Sequence, residues 1–153
     1  VETQIRRAFG YAFGEPSVNY HPGSVPMLNL RRIGLDPIEL LGVTIQPLRL
    51  MHGKLPVLGF RISNLAFCTD VSEIPEETWP LLAGLDVLFL DALRDKPHPT
   101  HMTVQQALDV IERVQPRQAY LTHLSHSLDY ETTNARLPSN VKLAYDGLRV
   151  PIV

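Results

Sequence analysis

The sequence predicts an α/β domain with a mixed β-sheet and flanking helices. Two observations carry this. Apolar runs at Val43–Leu50, Val57–Ile62 and Leu65–Thr69 follow one another with only short turns between them, as antiparallel neighbours do. Two later runs, Asp86–Leu90 and Gln118–Leu121, flank a segment of strong helical periodicity, the β-α-β order of parallel strands joined by a crossover. The chain has 153 residues, 44% of them apolar, enough for the core of one domain, and residues 1–153 are taken as one domain.

Taken in order, Glu2 to Phe13 is weakly helical, with Ile5, Ala8, Phe9 and Ala12 at helical spacing. Gly14, Pro16, Asn19, Pro22, Gly23 and Pro26 make residues 14–26 a loop, and Met27–Ile33 then reads as a strand before a turn at Gly34-Leu-Asp-Pro. Val43–Leu50 alternates Val43, Ile45 and Pro47 against Thr44, Gln46 and Leu48. A turn at His52-Gly-Lys leads to Val57–Ile62, and Ser63-Asn64 closes a hairpin, with Asn64 suited to the positive φ of such turns. Glu76–Leu82 is a short helix entered through Pro75. Asp86–Leu90 is continuously apolar, the mark of a strand buried on both faces. Thr103 is a good N-cap for the helix Val104–Val114, whose Val104, Ala107, Leu108, Ile111 and Val114 share a face, and Pro116 ends it. Glu131–Arg136 is a short helix, and Val141–Tyr145 turning at Asp146-Gly147 into Leu148–Ile152 predicts a closing hairpin.

The formal net charge is −2, with basic residues clustered no further than the pairs Arg6–Arg7 and Arg31–Arg32, so a nucleic-acid grip is not expected. The single cysteine, Cys68, excludes a disulfide framework and fits a cytoplasmic setting. No apolar run approaches the ~18 residues of a membrane span. The chain opens without Met and within a helical pattern, as a fragment of a longer protein is expected to do.

The chemistry-bearing residues share a position. His52, Asp70, Asp91 and His123 each stand just past the C-terminal end of an apolar run. In open α/β sheets that edge is where sites form, because rigid strand ends bring loops together. Imidazole and carboxylate groups delivered there suit Zn or Mn. Taken singly, each has a plain structural explanation. His52 precedes Gly53 and could serve a turn, Asp70 could cap the following loop, and His123 and His126 lie in a short polar loop. Cys68 beside Phe67 reads as a buried core residue, as do Trp79 and the other aromatics.

The segments Leu50-Met51-His52-Gly53-Lys54, Leu58-Gly59-Phe60-Arg61-Ile62 and Phe67-Cys68-Thr69-Asp70 resemble the middle of the metallo-β-lactamase superfamily. Pro97-His98-Pro99-Thr100-His101, Tyr120-Leu121-Thr122-His123-Leu124-Ser125-His126 and Tyr145-Asp146-Gly147-Leu148 continue the match. Within that superfamily the chain resembles the phosphoribosyl cyclic phosphodiesterases of phosphonate breakdown and tRNase Z-like hydrolases. The resemblance implies the second half of an αββα sandwich. It implies His52, Asp70 and His123 as metal ligands, with Asp70 bridging two divalent ions, Zn or Mn. It implies His101 as an acid for the leaving oxygen or a phosphate ligand, His126 either behind the metal ligands or in the substrate pocket, and Asp91 as a hydrogen-bonding support for a ligand histidine. The leading His-x-His-x-Asp-His motif of that family does not occur in these 153 residues. The chain by itself is therefore expected to hold one ion weakly or none, and to be inactive alone. A small phosphodiester is the expected substrate. The alternatives are a non-catalytic relative whose exposed sheet face is covered by a second copy in a homodimer, and a lactonase or thioesterase of the same superfamily.

Overall fold

The computed structural model describes residues 1–13 and 23–151. They form two compact units, 1–33 and 34–153. In the first, helix α1 (Glu2–Ala8) runs into a 3-10 turn at Gly10–Ala12. Glu2 binds Arg6 at 3.0 Å and Arg32 at 3.1 Å. The expected strand Met27–Ile33 does not form, and most of it is exposed. Its residue types favour extended backbone, but a strand exists only through pairing, and among the described residues no ladder runs beside this one. Part of the expected loop, and His21 within it, lies outside the described residues.

The second unit is a seven-stranded sheet whose spatial order follows the sequence: β1 (Ile38–Leu40), β2 (Val43–His52), β3 (Leu55–Ile62), β4 (Leu65–Cys68), β5 (Val87–Asp91), β6 (Gln118–Thr122) and β7 (Val141–Leu143). The first four strands pair antiparallel and the last four parallel, so the sheet is mixed. β1 was not foreseen. It is joined to β2 by Leu41 and Gly42, both at positive φ (52° and 78°), the backbone of a two-residue hairpin loop. In the β3–β4 turn it is Ser63, at φ 52°, that adopts the left-handed backbone expected of Asn64. Asn64 instead donates its side-chain amide to Asp86.

Helix α2 (Val104–Val114) carries the crossover. Thr103 accepts from the Gln106 amide while Gln106 returns a bond to the Thr103 N–H, which closes both ends of a capping box. Val104, Ala107, Val110 and Ile111 are buried, and they join Ala66, Cys68, Leu88, Leu90, Ala119, Leu121, Val141 and Leu143 in one core. Burial pushes the Cys68 thiol up to about 12, so it is a neutral packing group. The predicted helix 76–82 is a 3-10 helix, which fits the Pro80 inside it. Trp79 there is only partly buried and carries Arg113 3.7 Å from its ring centroid. Helix α3 (Tyr130–Ala135) is capped by Asp129 and leads to β7.

Two expectations fail at the sheet. The closing hairpin does not form: β7 ends at Leu143 and pairs parallel with β6, and 148–151 is not strand. Tyr145 to Leu148 does turn, with a 3.1 Å bond from the Leu148 N–H, but Pro151 has no N–H to extend a ladder and Ile152 lies outside the described residues. β5 is not covered on both faces either. Leu88 and Leu90 are buried, whereas Val87 and Phe89 are only half-buried. On that second face Phe67, Phe89 and Tyr120 stack across β4, β5 and β6, with ring centroids 5.4 and 5.1 Å apart, and Phe67 is 42% exposed. Among the described residues no helix is long and apolar enough to cross a membrane.

Candidate metal centre

His52 is the last residue of β2 and continues the row of Leu48 and Leu50, both fully buried, to the edge of the sheet. The turn after it is tight. Gly53 sits at φ 62°, and its N–H donates to Ser72 Oγ at 2.8 Å, while the Ser72 hydroxyl donates to the Met51 carbonyl. A Cβ at Gly53 would lie 3.0 Å from Thr100 Cγ2, so the glycine lets the 98–101 loop close over the end of β2.

Asp70 and His123 follow β4 and β6, and both adopt left-handed backbone, at φ 55° and 60°. For a non-glycine residue that conformation costs of order 1 kcal/mol, and it concentrates at functional sites. The kink turns both side chains toward one place: His123 Nε2 lies 3.4 Å from Asp70 Oδ1. His101 arrives from the loop after β5. Met102 N–H bonds to the Val71 carbonyl and Leu93 N–H to the Met102 carbonyl, which folds this loop back beside Asp70.

His101 is the hub. Its Nε2 is 3.1 Å from His52 Nε2, its ring stacks on His123 with centroids 4.6 Å apart, and its Nδ1 is 2.7 Å from Asp91 Oδ2. Asp91 is fully buried, so the imidazole N–H donates to a carboxylate shielded from water, and the lone pair is left on Nε2. The same Oδ2 accepts the Val71 N–H at 2.9 Å, while Oδ1 has no hydrogen-bond partner among the described residues. Asp91 thus ties His101 to the residue after Asp70. His98 packs on His101 at 5.0 Å between ring centroids, and its basicity is lowered by desolvation and by Arg94 and His101 nearby.

The donor set suits a divalent metal ion. One ligand atom each from His52, Asp70 and His101 lies within 4.8 Å of the others. Two nitrogens bound to one zinc at ~2.0–2.1 Å stand about 3.3 Å apart in tetrahedral geometry, close to the His52–His101 separation. Of the residues the sequence pointed to, His52, Asp70, His101, His123 and Asp91 come together. His123 reaches Asp70 and His101 but lies outside that closest trio. His126 stands apart, exposed, on a neighbouring cavity. Ser72 and His98 were not foreseen as parts of the site. Nothing in the sequence pairs Ser72 with Gly53, and only the proximity of His98 to His101 in Pro97-His98-Pro99-Thr100-His101 hinted at the second.

A family model, the beta-lactamase superfamily domain, matches residues 1–124. The chain belongs to this superfamily. A solved diphosphatase of the PhnP family is 37% identical, with a TM-score of 0.84, over 96% of this chain and 53% of that one. Human tRNase Z, short form, shares the fold at 21% identity and a TM-score of 0.59, over 75% of this chain and 45% of that one. An octanoyltransferase of Porphyromonas gingivalis (strain ATCC BAA-308 / W83) is 37% identical over 151 residues, which are 97% of this chain but 30% of that protein. The chain therefore spans about half of the solved relative and under a third of the curated one. Most of the octanoyltransferase lies outside the match.

Proposed function

We propose that this chain forms one side of the active site of a metal-dependent phosphodiester hydrolase. The observation that carries this reading is the convergence of His52, Asp70, His101 and His123 at one sheet edge, with Asp91 buried behind them. The likeness to a PhnP-family diphosphatase supports phosphorus chemistry over the lactonase and thioesterase branches. His52, Asp70 and His123 act as metal ligands, and the 153-residue chain alone holds one Zn or Mn ion weakly. Two such ions in the full-length site would activate water and offset charge on the phosphoryl oxygens. His101, oriented by Asp91, presents Nε2 to the site: as the neutral ring its lone pair there binds the ion, and once protonated at Nε2 the imidazolium holds a phosphate oxygen or hands that proton to the departing oxygen.

The remaining ligands come from a segment corresponding to the other half of the solved relative. Two features support an incomplete domain: no His-x-His-x-Asp-His motif occurs in these 153 residues, and the Val87, Phe89 and Phe67 face carries the residues of a covered layer while standing partly open. A second copy of the chain is the other candidate to cover that face, and concentration-dependent dimerisation without bound metal would favour it.

Hydrolysis of bis-p-nitrophenyl phosphate with Zn or Mn tests the proposal. The 153-residue chain should be inactive, and a chain extended to the length of the solved relative should be active and lose activity on chelation or in His52→Ala. An extended chain that ignores phosphodiesters but cleaves a lactone or thioester would overturn the substrate assignment.

A further inference from the structure

A cavity of about 270 Å³ opens beside His123, at the C-terminal ends of β6 and β7. Thr122 and His123 form one wall, and Tyr145 and Asp146 form the other. It falls just below the ~300–1,000 Å³ of pockets that hold a whole small molecule, so it suits one substituent of a larger ligand. Backbone bonds fix its far wall. The Ala144 N–H donates to the Leu121 carbonyl at 2.8 Å. The Leu148 N–H donates to the Tyr145 carbonyl at 3.1 Å, across a turn whose third residue, Gly147, sits at φ 89°.

The chemistry of the two walls is one-sided. The Asp146 carboxylate makes no hydrogen bond and no ion pair among the described residues, and no Lys or Arg lines the cavity. The Tyr145 ring is 58% exposed and has no aromatic or cationic partner among the described residues. A carboxylate beside an open aromatic face is complementary to a positively charged nitrogen: the carboxylate balances its charge, and the negative face of the ring attracts it. A phosphate or carboxylate in the same place would meet Asp146 with no cation to offset the repulsion. A neutral hydroxyl would leave the Asp146 charge uncompensated.

We propose that this cavity seats a positively charged nitrogen of the substrate, so that the hydrolysed phosphodiester carries an ammonium group on one of its alcohols. This rests on the phosphodiesterase reading above for its meaning, though not for its test. The cavity shares His123 with the metal centre. His123 Nε2 lies 3.4 Å from Asp70 Oδ1, and its ring stacks on His101 at 4.6 Å between centroids. One imidazole therefore separates the ammonium position from the Asp70 carboxylate, and a short amino-alcohol ester reaches both.

The test is an amide-shift titration of the ¹⁵N-labelled 153-residue chain, stripped of metal, with tetramethylammonium chloride and separately with neopentyl alcohol, its neutral analogue, at constant ionic strength. Tetramethylammonium should saturate shifts at Thr122–Leu124 and Ala144–Gly147 and bind more tightly than the alcohol. Asp146→Asn should weaken it about tenfold, as the loss of a close opposite charge predicts. Tyr145→Leu should weaken it about two- to fivefold, as the loss of an exposed cation–π contact predicts. Both positions are exposed, neither side chain makes a hydrogen bond among the described residues, and each variant's spectrum reports its fold in the same experiment. Equal binding of the alcohol, shifts centred on Asp70 that persist in Asp146→Asn, or no saturable shift would overturn the proposal. Because no metal is present, saturation here with no bis-p-nitrophenyl phosphate hydrolysis by the extended chain would remove the phosphodiesterase reading and leave the cation site standing.

Discussion

Replacing Asp91 by Asn swaps one carboxylate oxygen behind His101 for an amide NH2 and removes the charge. Asp91 Oδ2 accepts two bonds, from His101 Nδ1 at 2.7 Å and from the Val71 N–H at 2.9 Å, and the side chain is fully buried. An amide oxygen in the Oδ2 position keeps both bonds but makes them neutral, at roughly half the strength of charge-assisted ones. The amide nitrogen then falls at Oδ1, where no acceptor waits among the described residues, and a buried donor left unpaired costs about 1–3 kcal/mol. Loss of such a carboxylate behind a ligand histidine weakens metal binding about 10–100-fold, or ~1.4–2.7 kcal/mol. The assay pairs urea unfolding of the metal-free chain with competition for Zn against a chromophoric chelator. Both the stability and the zinc affinity should fall. A variant that loses stability yet binds zinc as the parent does would make Asp91 a packing carboxylate and place His101 away from the metal.

Gly53→Ala forces a Cβ onto a backbone at φ 62° and to 3.0 Å from Thr100 Cγ2; it should cost about 1–2 kcal/mol and displace the loop bearing His101, seen as shifted His101 ring resonances. Gly59→Ala puts a Cβ 2.7 Å from Leu50 Cδ1 and 2.9 Å from the Phe67 carbonyl oxygen; because backbone cannot yield, chemical denaturation should show a loss of at least ~1–3 kcal/mol. The Asp129 carboxyl is held below its ordinary value by bonds from the Thr132 amide and hydroxyl. Since its folded value is depressed, the stability it adds is present above the unfolded carboxyl range and fades as pH falls through the folded value. Asp129→Ala should thus unfold earlier than the parent in urea at pH 6, with the gap closing in strong acid.

Much of the site was legible because apolar strands end abruptly. Val87 to Leu90 stops at Asp91, and Ala119 to Leu121 stops one residue short of His123, so the strand-end position of these polar groups could be read directly. The union of His101 with His52 could not. It depends on bonds from Leu93 N–H to Met102 and from Met102 N–H to Val71, between backbone groups that carry no side-chain signature. The left-handed backbone at Asp70 and His123 was equally hidden, since Asp and His only tolerate that region where glycine would announce it. β1 escaped because three residues give alternation no length to act on, and Leu40 remains 56% exposed. The false closing hairpin arose from a genuine turn signal at Asp146-Gly147 whose second arm has nothing to pair with. The apolar run 87–90 was read as covered on both sides. Its pattern describes a layer that the described residues do not supply.

Anomalous diffraction at the zinc edge from zinc-soaked crystals of the 153-residue chain shows whether an ion sits where His52, Asp70, His101 and His123 converge. A peak bound by His52 Nε2 and the Asp70 carboxylate, with His123 or His101 completing the coordination, is expected. A chain that takes up no zinc there, or a strongest peak at His98 or His126 instead, would contradict this placement of the ion.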